Sequence, residues 1–170
     1  MKTSKFFFLG LISLGLFVAS CDDDDDDDND APPAPAANVI VGNWAAYDVS
    51  GILAGTGVTG VNAEFNADNT YTVESIADGA TTTLEGTYVV SEDPNSEGIY
   101  EITLNQSSPN TLTAEGIYAV YEASPDSMWY EVAQTTPTIT GVTAPTQEDG
   151  FGSTSGGAFG MSNVQKYNRQ

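Results

Sequence analysis

The stretch VNAEFNADNTYTVES, residues 61–75, decides the fold. Apolar residues occupy alternate positions on both sides of a turn-forming segment at 67–69, with Val61, Ala63 and Phe65 before it and Tyr71 and Val73 after it. A side-chain period of two is typical of a β-strand that buries one face. Asp and Asn favour turns because their side chains bond to the nearby backbone. The stretch therefore predicts two antiparallel strands joined by a tight turn.

The same alternation recurs through residues 38–170, which we predict to be one domain. Further strands are expected near 39–47, 83–90, 99–105, 111–121, 128–134 and 162–168. The glutamates of these runs fall opposite the apolar positions, which predicts one solvated face and one buried face. We expect an all-β domain, an antiparallel up-and-down β-barrel of about eight strands, because closure removes exposed strand edges. A two-sheet sandwich is the alternative.

Residues 135–161 do not follow the strand pattern. They include GFGSTSGGAFG at 150–160, which is too rich in glycine for a strand interior. We predict a loose connection between the last two strands, with a lid over the open end of the barrel as the alternative.

The N-terminal segment has the features of a secretory signal peptide, predicted at residues 1–20. Lys2 and Lys5 precede an apolar run from Phe6 to Val18, and the small residues Ala19 and Ser20 follow it. An uncleaved anchor helix is the alternative, although a membrane span needs about 20 apolar residues.

Cys21 is the only cysteine, so it cannot form an intramolecular disulfide. VASC, residues 18–21, resembles the lipobox of bacterial lipoproteins. The resemblance implies that Cys21 is acylated and anchors the mature chain to membrane lipid. Several acyl chains hold a protein on a bilayer stably, whereas one holds it marginally. A free or buried thiol is the alternative.

Seven aspartates follow the cysteine: Asp22, Asp23, Asp24, Asp25, Asp26, Asp27 and Asp28. Mutual repulsion and the Pro-rich APPAPAA at 31–37 predict that residues 21–37 form a disordered tether. The acidic block resembles the surface-export signal of certain Gram-negative lipoproteins, which implies an outer-membrane, lipid-anchored protein at the cell surface. Inner-membrane retention through Asp22, a calcium-binding strip and a plain solvated linker are the alternatives.

The net charge of −20 argues against a nucleic-acid partner, because binding phosphates requires Lys and Arg. The chain also contains no histidine. Ser-His-Asp and Cys-His catalysis and histidine-based zinc sites are thereby excluded, and carboxylate pairs are the remaining acid–base chemistry. We predict that the protein is not an enzyme and that it uses no cofactor and no metal.

VGNWAAYDV, residues 41–49, resembles the Gly-x-Trp opening strand of lipocalins and lipocalin-like proteins, with Gly42 and Trp44 on the motif. FNADNTYT and LEGTYVV, within 65–90, are similar to bacterial lipocalin-like domains. The resemblance implies that Trp44 plugs the closed end of the barrel and that a basic residue of the last strand packs over it. We assign this role to Arg169, with Lys166 as the second choice.

The inward positions hold an aromatic set that we propose as a candidate ligand cavity: Phe65, Tyr71, Tyr88, Tyr100, Tyr118 and Tyr130. The alternative is that these residues fill the core. The first functional hypothesis is therefore a barrel that binds a small hydrophobic or amphipathic ligand. The alternatives are a glycan-binding accessory protein that stacks sugars on Trp129 and exposed tyrosines, and a structural or adhesive surface module with a filled core.

Overall fold

The computed structural model of the protein describes residues 37–49 and 54–170, and eight strands lie within them. Short helical segments occur at Ala37–Ile40 and Thr154–Gly157, and a 3-10 turn occurs at Gly160–Asn163. The strands are β1 Gly42–Asp48, β2 Val58–Phe65, β3 Thr70–Ala77, β4 Ala80–Val90, β5 Tyr100–Ser108, β6 Leu112–Tyr121, β7 Ser127–Thr136 and β8 Gln165–Arg169. No helix in the described residues is long and apolar enough to cross a membrane.

The eight strands form one closed antiparallel barrel in sequence order. β8 closes the barrel by pairing with β1, and Trp44 lies opposite Arg169 in that register. The predicted up-and-down barrel is therefore confirmed, and the sandwich alternative is wrong. Closure gives both terminal strands a partner, so neither presents an open edge.

The 61–75 stretch forms the predicted hairpin. Phe65 pairs with Tyr71 across β2 and β3. In the turn, the Asn66 N–H donates to the Thr70 carbonyl at 2.9 Å, and Asn69 adopts a φ of 64°. Asparagine tolerates this left-handed conformation better than most residues. The local turn chemistry thus sets the strand register that the alternation requires.

The first and last strands begin three residues later than predicted. Ala37–Ile40 forms a helical turn before β1, and the 3-10 turn at Gly160–Asn163 precedes β8. Before β8, the Asn163 side-chain amide donates to the Val132 carbonyl of β7 at 3.4 Å, so a side-chain bond stands where a further ladder bond was expected.

The barrel interior holds the main core. Trp44, Phe65, Tyr88 and Tyr118 are all buried there. We call the end that contains Trp44 and Arg169 the closed end, and the end that contains the β3–β4 turn at 78–79 the open end. Neighbouring strands are all antiparallel, so successive strands run alternately from the closed end to the open end and back.

A second core lies outside the barrel, and it corrects the prediction of one uniformly solvated face. Ile117 and Ala119 on β6 are buried on the outer face and pack with Ile99 and Phe151. Glu131, on the outer face of β7, is 0% exposed. Glu131 thus faces outward as predicted but is not solvated, because residues 137–164 cover this part of the sheet.

Residues 135–161 were predicted to form a loose connection, with a lid over the open end as the alternative. Thr135 and Thr136 instead belong to β7, and the 137–164 segment that follows packs against the outer face of the barrel. The side-chain amide of Gln147 donates to the Ile99 carbonyl at 2.8 Å, and Asn95 donates to the Gln147 carbonyl at 2.8 Å. These bonds attach the segment to the β4–β5 loop at the closed end. The segment thus runs along the outside of the barrel and returns to begin β8.

Candidate ligand-binding site

A cavity of about 200 Å³ lies inside the barrel. Toward the closed end its wall is formed by buried side chains, namely Ala63, Phe65, Leu104, Met128, Tyr130 and Tyr167. Toward the open end its wall is formed by mostly half-buried side chains, namely Val73, Ser75, Leu84, Gln106, Leu112 and Gln165. The gradient of exposure shows that the cavity opens at the end of the barrel opposite Trp44.

Three tyrosines supply polar groups to this apolar space. Tyr167 donates its hydroxyl hydrogen to the side-chain oxygen of Gln165. Within the described residues, the hydroxyls of Tyr71 and Tyr130 make no hydrogen bond, although both side chains line the cavity and are buried. These two hydroxyls are therefore available to form hydrogen bonds with a molecule in the cavity.

These phenols stay neutral to a higher pH than an exposed tyrosine, because burial raises the pKa of each hydroxyl above the ordinary 10.0. Burial raises the pKa of Tyr71 and that of Tyr167, and it raises the pKa of Tyr130 well above its ordinary value. The neighbouring phenols of Tyr167 and Tyr71 add to the rise in the pKa of Tyr130. A neutral phenol both donates and accepts a hydrogen bond, so the site offers polar contacts without charge.

The structure divides the predicted cavity residues into two groups. Phe65, Tyr71 and Tyr130 line the cavity, and their rings lie near one another, with the Phe65 centroid 6.3 Å from each of the two tyrosine centroids. Tyr88, Tyr100 and Tyr118 lie outside its lining.

The three tyrosines outside the lining take part in packing nearer the closed end. Tyr100 and Tyr118 stack with ring centroids 5.2 Å apart. Tyr88 donates to the Asn66 carbonyl at 2.8 Å and meets the Phe65 ring edge-on. Their inclusion in the cavity is a correction to the sequence prediction, since Tyr88 and Tyr118 are buried in the packed core and Tyr100 is half-buried against it.

Sequence reasoning missed Tyr167, Gln165 and Gln106 as lining residues. Alternation within QKYNR at 165–169 would have identified Gln165 and Tyr167, because Arg169 was already placed inward. Gln106 continues the inward alternation of β5 beyond Leu104. The period-two pattern therefore contained the signal, but polar residues were not counted as inward.

The closed end is sealed by Trp44 and Arg169. The Arg169 guanidinium carbon lies 4.2 Å from the Trp44 ring centroid. Its nitrogens donate to the carbonyls of Val41 at 2.7 Å and Val39 at 3.0 Å, and a third bond reaches Asp126 at 3.0 Å. The Trp44 indole N–H donates to the Ile40 carbonyl at 2.8 Å.

Gly42 makes room for this arrangement. A Cβ at Gly42 would lie 2.6 Å from Arg169 Nη1, and the φ of Gly42 is 135°. The glycine of the Gly-x-Trp motif thus has a steric role at the closed end, where the arginine passes close to the backbone of β1.

Lys166, the second choice for the position over Trp44, faces outward. Its ammonium lies 5.1 Å from the Trp129 ring centroid. Trp129 also meets the rings of Tyr121 and Phe151 edge-on, each at 5.7 Å. We call Tyr121, Trp129, Phe151 and Lys166 the outer aromatic group.

The lipidation and export predictions fall outside the described residues. Cys21 and Asp22–Asp28 precede residue 37, so their placement stays a prediction. Among the described residues, no group of three or more Asp, Glu, His or Cys side chains is arranged to hold a metal ion.

The resemblance to lipocalins stays a prediction, drawn from the Gly-x-Trp motif at 42–44 and the strand pattern of the sequence. Comparison of the chain with protein-family models, curated proteins and solved structures finds no match.

Proposed function

We propose that this protein is a membrane-anchored surface lipoprotein whose barrel binds one small hydrophobic or amphipathic molecule. The cavity of about 200 Å³ is the observation that carries the binding proposal. An eight-stranded barrel is either just filled by its side chains or holds one small ligand. Here the side chains leave space, and the space opens at one end of the barrel.

The chemistry of the lining supports binding rather than catalysis. Leu, Val, Met and aromatic side chains form most of the wall, and a few hydroxyl and amide groups interrupt it. Small-molecule sites have this composition, with the polar groups fixing orientation. The described lining residues include no carboxylate, amine or thiol that could act as a general base or nucleophile.

Ligand binding can be tested by native mass spectrometry of the full chain purified in a mild detergent. A stoichiometric adduct that persists after detergent exchange supports the proposal. Ala114→Leu should abolish the adduct, because Ala114 lines the cavity and the larger side chain fills it. Ala80→Leu is the matched control, since Ala80 is exposed at the start of β4. An adduct equally abundant in Ala114→Leu contradicts a site inside the barrel.

The membrane anchor is supported by the N-terminal sequence alone. A short apolar run ends at the single cysteine, and seven aspartates follow it. Radiolabelled palmitate should enter the wild-type chain in bacteria and should not enter Cys21→Ser. Protease added to intact cells should digest the wild-type protein if it faces the medium. Replacing Asp22–Asp28 with asparagine should then protect it.

Glycan binding is a second candidate, and the outer aromatic group is the observation that favours it. Tyr121 is 41% exposed, and its ring adjoins Trp129 on the outside of the barrel. Aromatic rings and hydroxyls are suited to the apolar faces and polar edges of sugars. Affinity electrophoresis in gels that contain polysaccharide tests this, because Trp129→Ala should abolish any retardation while Ala114→Leu should not change it.

A further inference from the structure

We propose that the cavity takes a neutral, single-ring-sized molecule bearing a hydroxyl or carbonyl group, which is held by the hydroxyls of Tyr71 and Tyr130. This inference rests on the proposed function, and it specifies the chemical class of the ligand. It follows from hydrogen bonding, charge and volume at the same site.

The first argument is the difference between the tyrosines of the interior. Tyr88 and Tyr167 each donate to an oxygen of the protein. Tyr71 and Tyr130 have no such partner among the described residues, although they are 4% and 8% exposed. Their hydroxyl oxygens are nevertheless accessible, because Ser155 Oγ is the one buried side-chain nitrogen or oxygen of the described residues that lacks a partner. A phenol both donates and accepts a hydrogen bond, so each hydroxyl can bond to a polar group placed in the cavity. An occupant with one polar group would satisfy this pair of hydroxyls, whereas a pure hydrocarbon would not.

The second argument is charge. None of the described residues that line the cavity is charged. An ionised carboxylate or ammonium placed there would lose its hydration and find no counter-charge. A neutral molecule avoids that cost, so the site favours it over fatty-acid anions and over amines.

The third argument is volume. About 200 Å³ is little more than the roughly 150 Å³ of an engineered cavity that binds benzene. The space therefore admits one ring with one or two small substituents. The Tyr130 and Tyr167 rings lie at 90° to each other with centroids 6.3 Å apart, and aromatic rings prefer this edge-to-face arrangement with further rings.

The test uses three probes of similar size, which are p-cresol, toluene and 4-methylbenzoate. Calorimetric titration of the full chain in mild detergent measures each affinity, and Ala114→Leu in the same detergent corrects for partition into micelles. We expect p-cresol and toluene to bind and 4-methylbenzoate to bind at least tenfold more weakly than p-cresol. The double variant Tyr71→Phe/Tyr130→Phe should weaken p-cresol about tenfold and leave toluene unchanged or tighter.

The variants separate this inference from the proposed function. Tyr47→Phe is the matched control, because Tyr47 is 53% exposed outside the barrel and its loss should not alter p-cresol binding. If toluene binds and p-cresol is unaffected by the double variant, the polar contact is wrong while the ligand-binding function stands. Tight binding of 4-methylbenzoate overturns the neutrality of the ligand. If no probe binds the wild type, both proposals fail together.

Discussion

The carboxylate of Glu131 accepts a hydrogen bond of 2.6 Å from the hydroxyl of Thr154, across the interface between β7 and the 137–164 segment. The Thr154 N–H donates to the same carboxylate at 3.2 Å, and the Gly152 N–H donates at 2.6 Å. Hydrogen bonds to a charged acceptor are stronger than neutral ones. The buried glutamate thus holds the Gly-rich part of the segment against β7.

Glu131→Ala should lower the free energy of unfolding by about 3 kcal/mol, because three donors would lose their acceptor inside a covered interface. Urea denaturation monitored by circular dichroism measures the change. Glu115→Ala is the matched control, since Glu115 is exposed on the outer face of β6. It should alter stability by less than about 0.5 kcal/mol. Equal stabilities of the two variants would show that the segment is held by other contacts.

The barrel could be predicted because its signal is local and repeated. Residues 61–75 alternate apolar and polar side chains, and the same phase continues through later strands. Alternation cannot, however, distinguish an outward residue in water from one beneath a packed segment. The strand alternation places Glu131 and Ile117 on the outer face of the barrel, yet both side chains are buried there. Their burial depends on the 137–164 segment, which has no periodicity to reveal where it packs.

The candidate site was harder to predict than the fold. Alternation places Tyr118 and Tyr130 on the same inward face, but only Tyr130 lines the cavity. The difference arises from how side chains of non-adjacent strands fill the interior. The volume of the cavity depends on how side chains of several strands pack together in three dimensions. The alternation along one strand carries no information about that packing.

Gly42→Ala should lower the free energy of unfolding by about 2–4 kcal/mol, because the added Cβ would lie 2.6 Å from Arg169 Nη1 at a backbone φ of 135°. Thermal unfolding measures the loss. Gly55→Ala is the control, since an added Cβ there has no atom within 4 Å and its φ is not positive. A Gly42→Ala protein as stable as Gly55→Ala would mean that Arg169 moves without cost.

In the folded chain, the pKa of the Asp68 carboxyl should lie below its ordinary value. Hydrogen bonds from the Thr70 hydroxyl at 2.6 Å and the Thr70 N–H at 3.0 Å lower the pKa of this carboxyl from 3.8. Since the folded pKa is the lower one, the contribution to stability is present above pH 3.8 and is lost as the pH falls through the folded pKa. Carboxyl NMR titration should show the pKa rising in Thr70→Val and staying low in Thr70→Ser. An unchanged pKa in Thr70→Val contradicts the assignment.

The interior tyrosines should make the barrel sensitive to alkali. Burial raises the pKa of Tyr118, Tyr130 and Tyr167 above the ordinary value of 10.0. The unfolded chain then releases protons that the folded chain retains, so stability falls as the pH rises above 10.0. Near pH ~11, the phenolate absorbance of the native chain should be lower than that of the urea-unfolded chain. Tyr130→Phe should raise the pH of alkaline unfolding, because it removes one of these groups. Full phenolate absorbance in a chain with native circular dichroism would show that water reaches these hydroxyls inside the intact barrel.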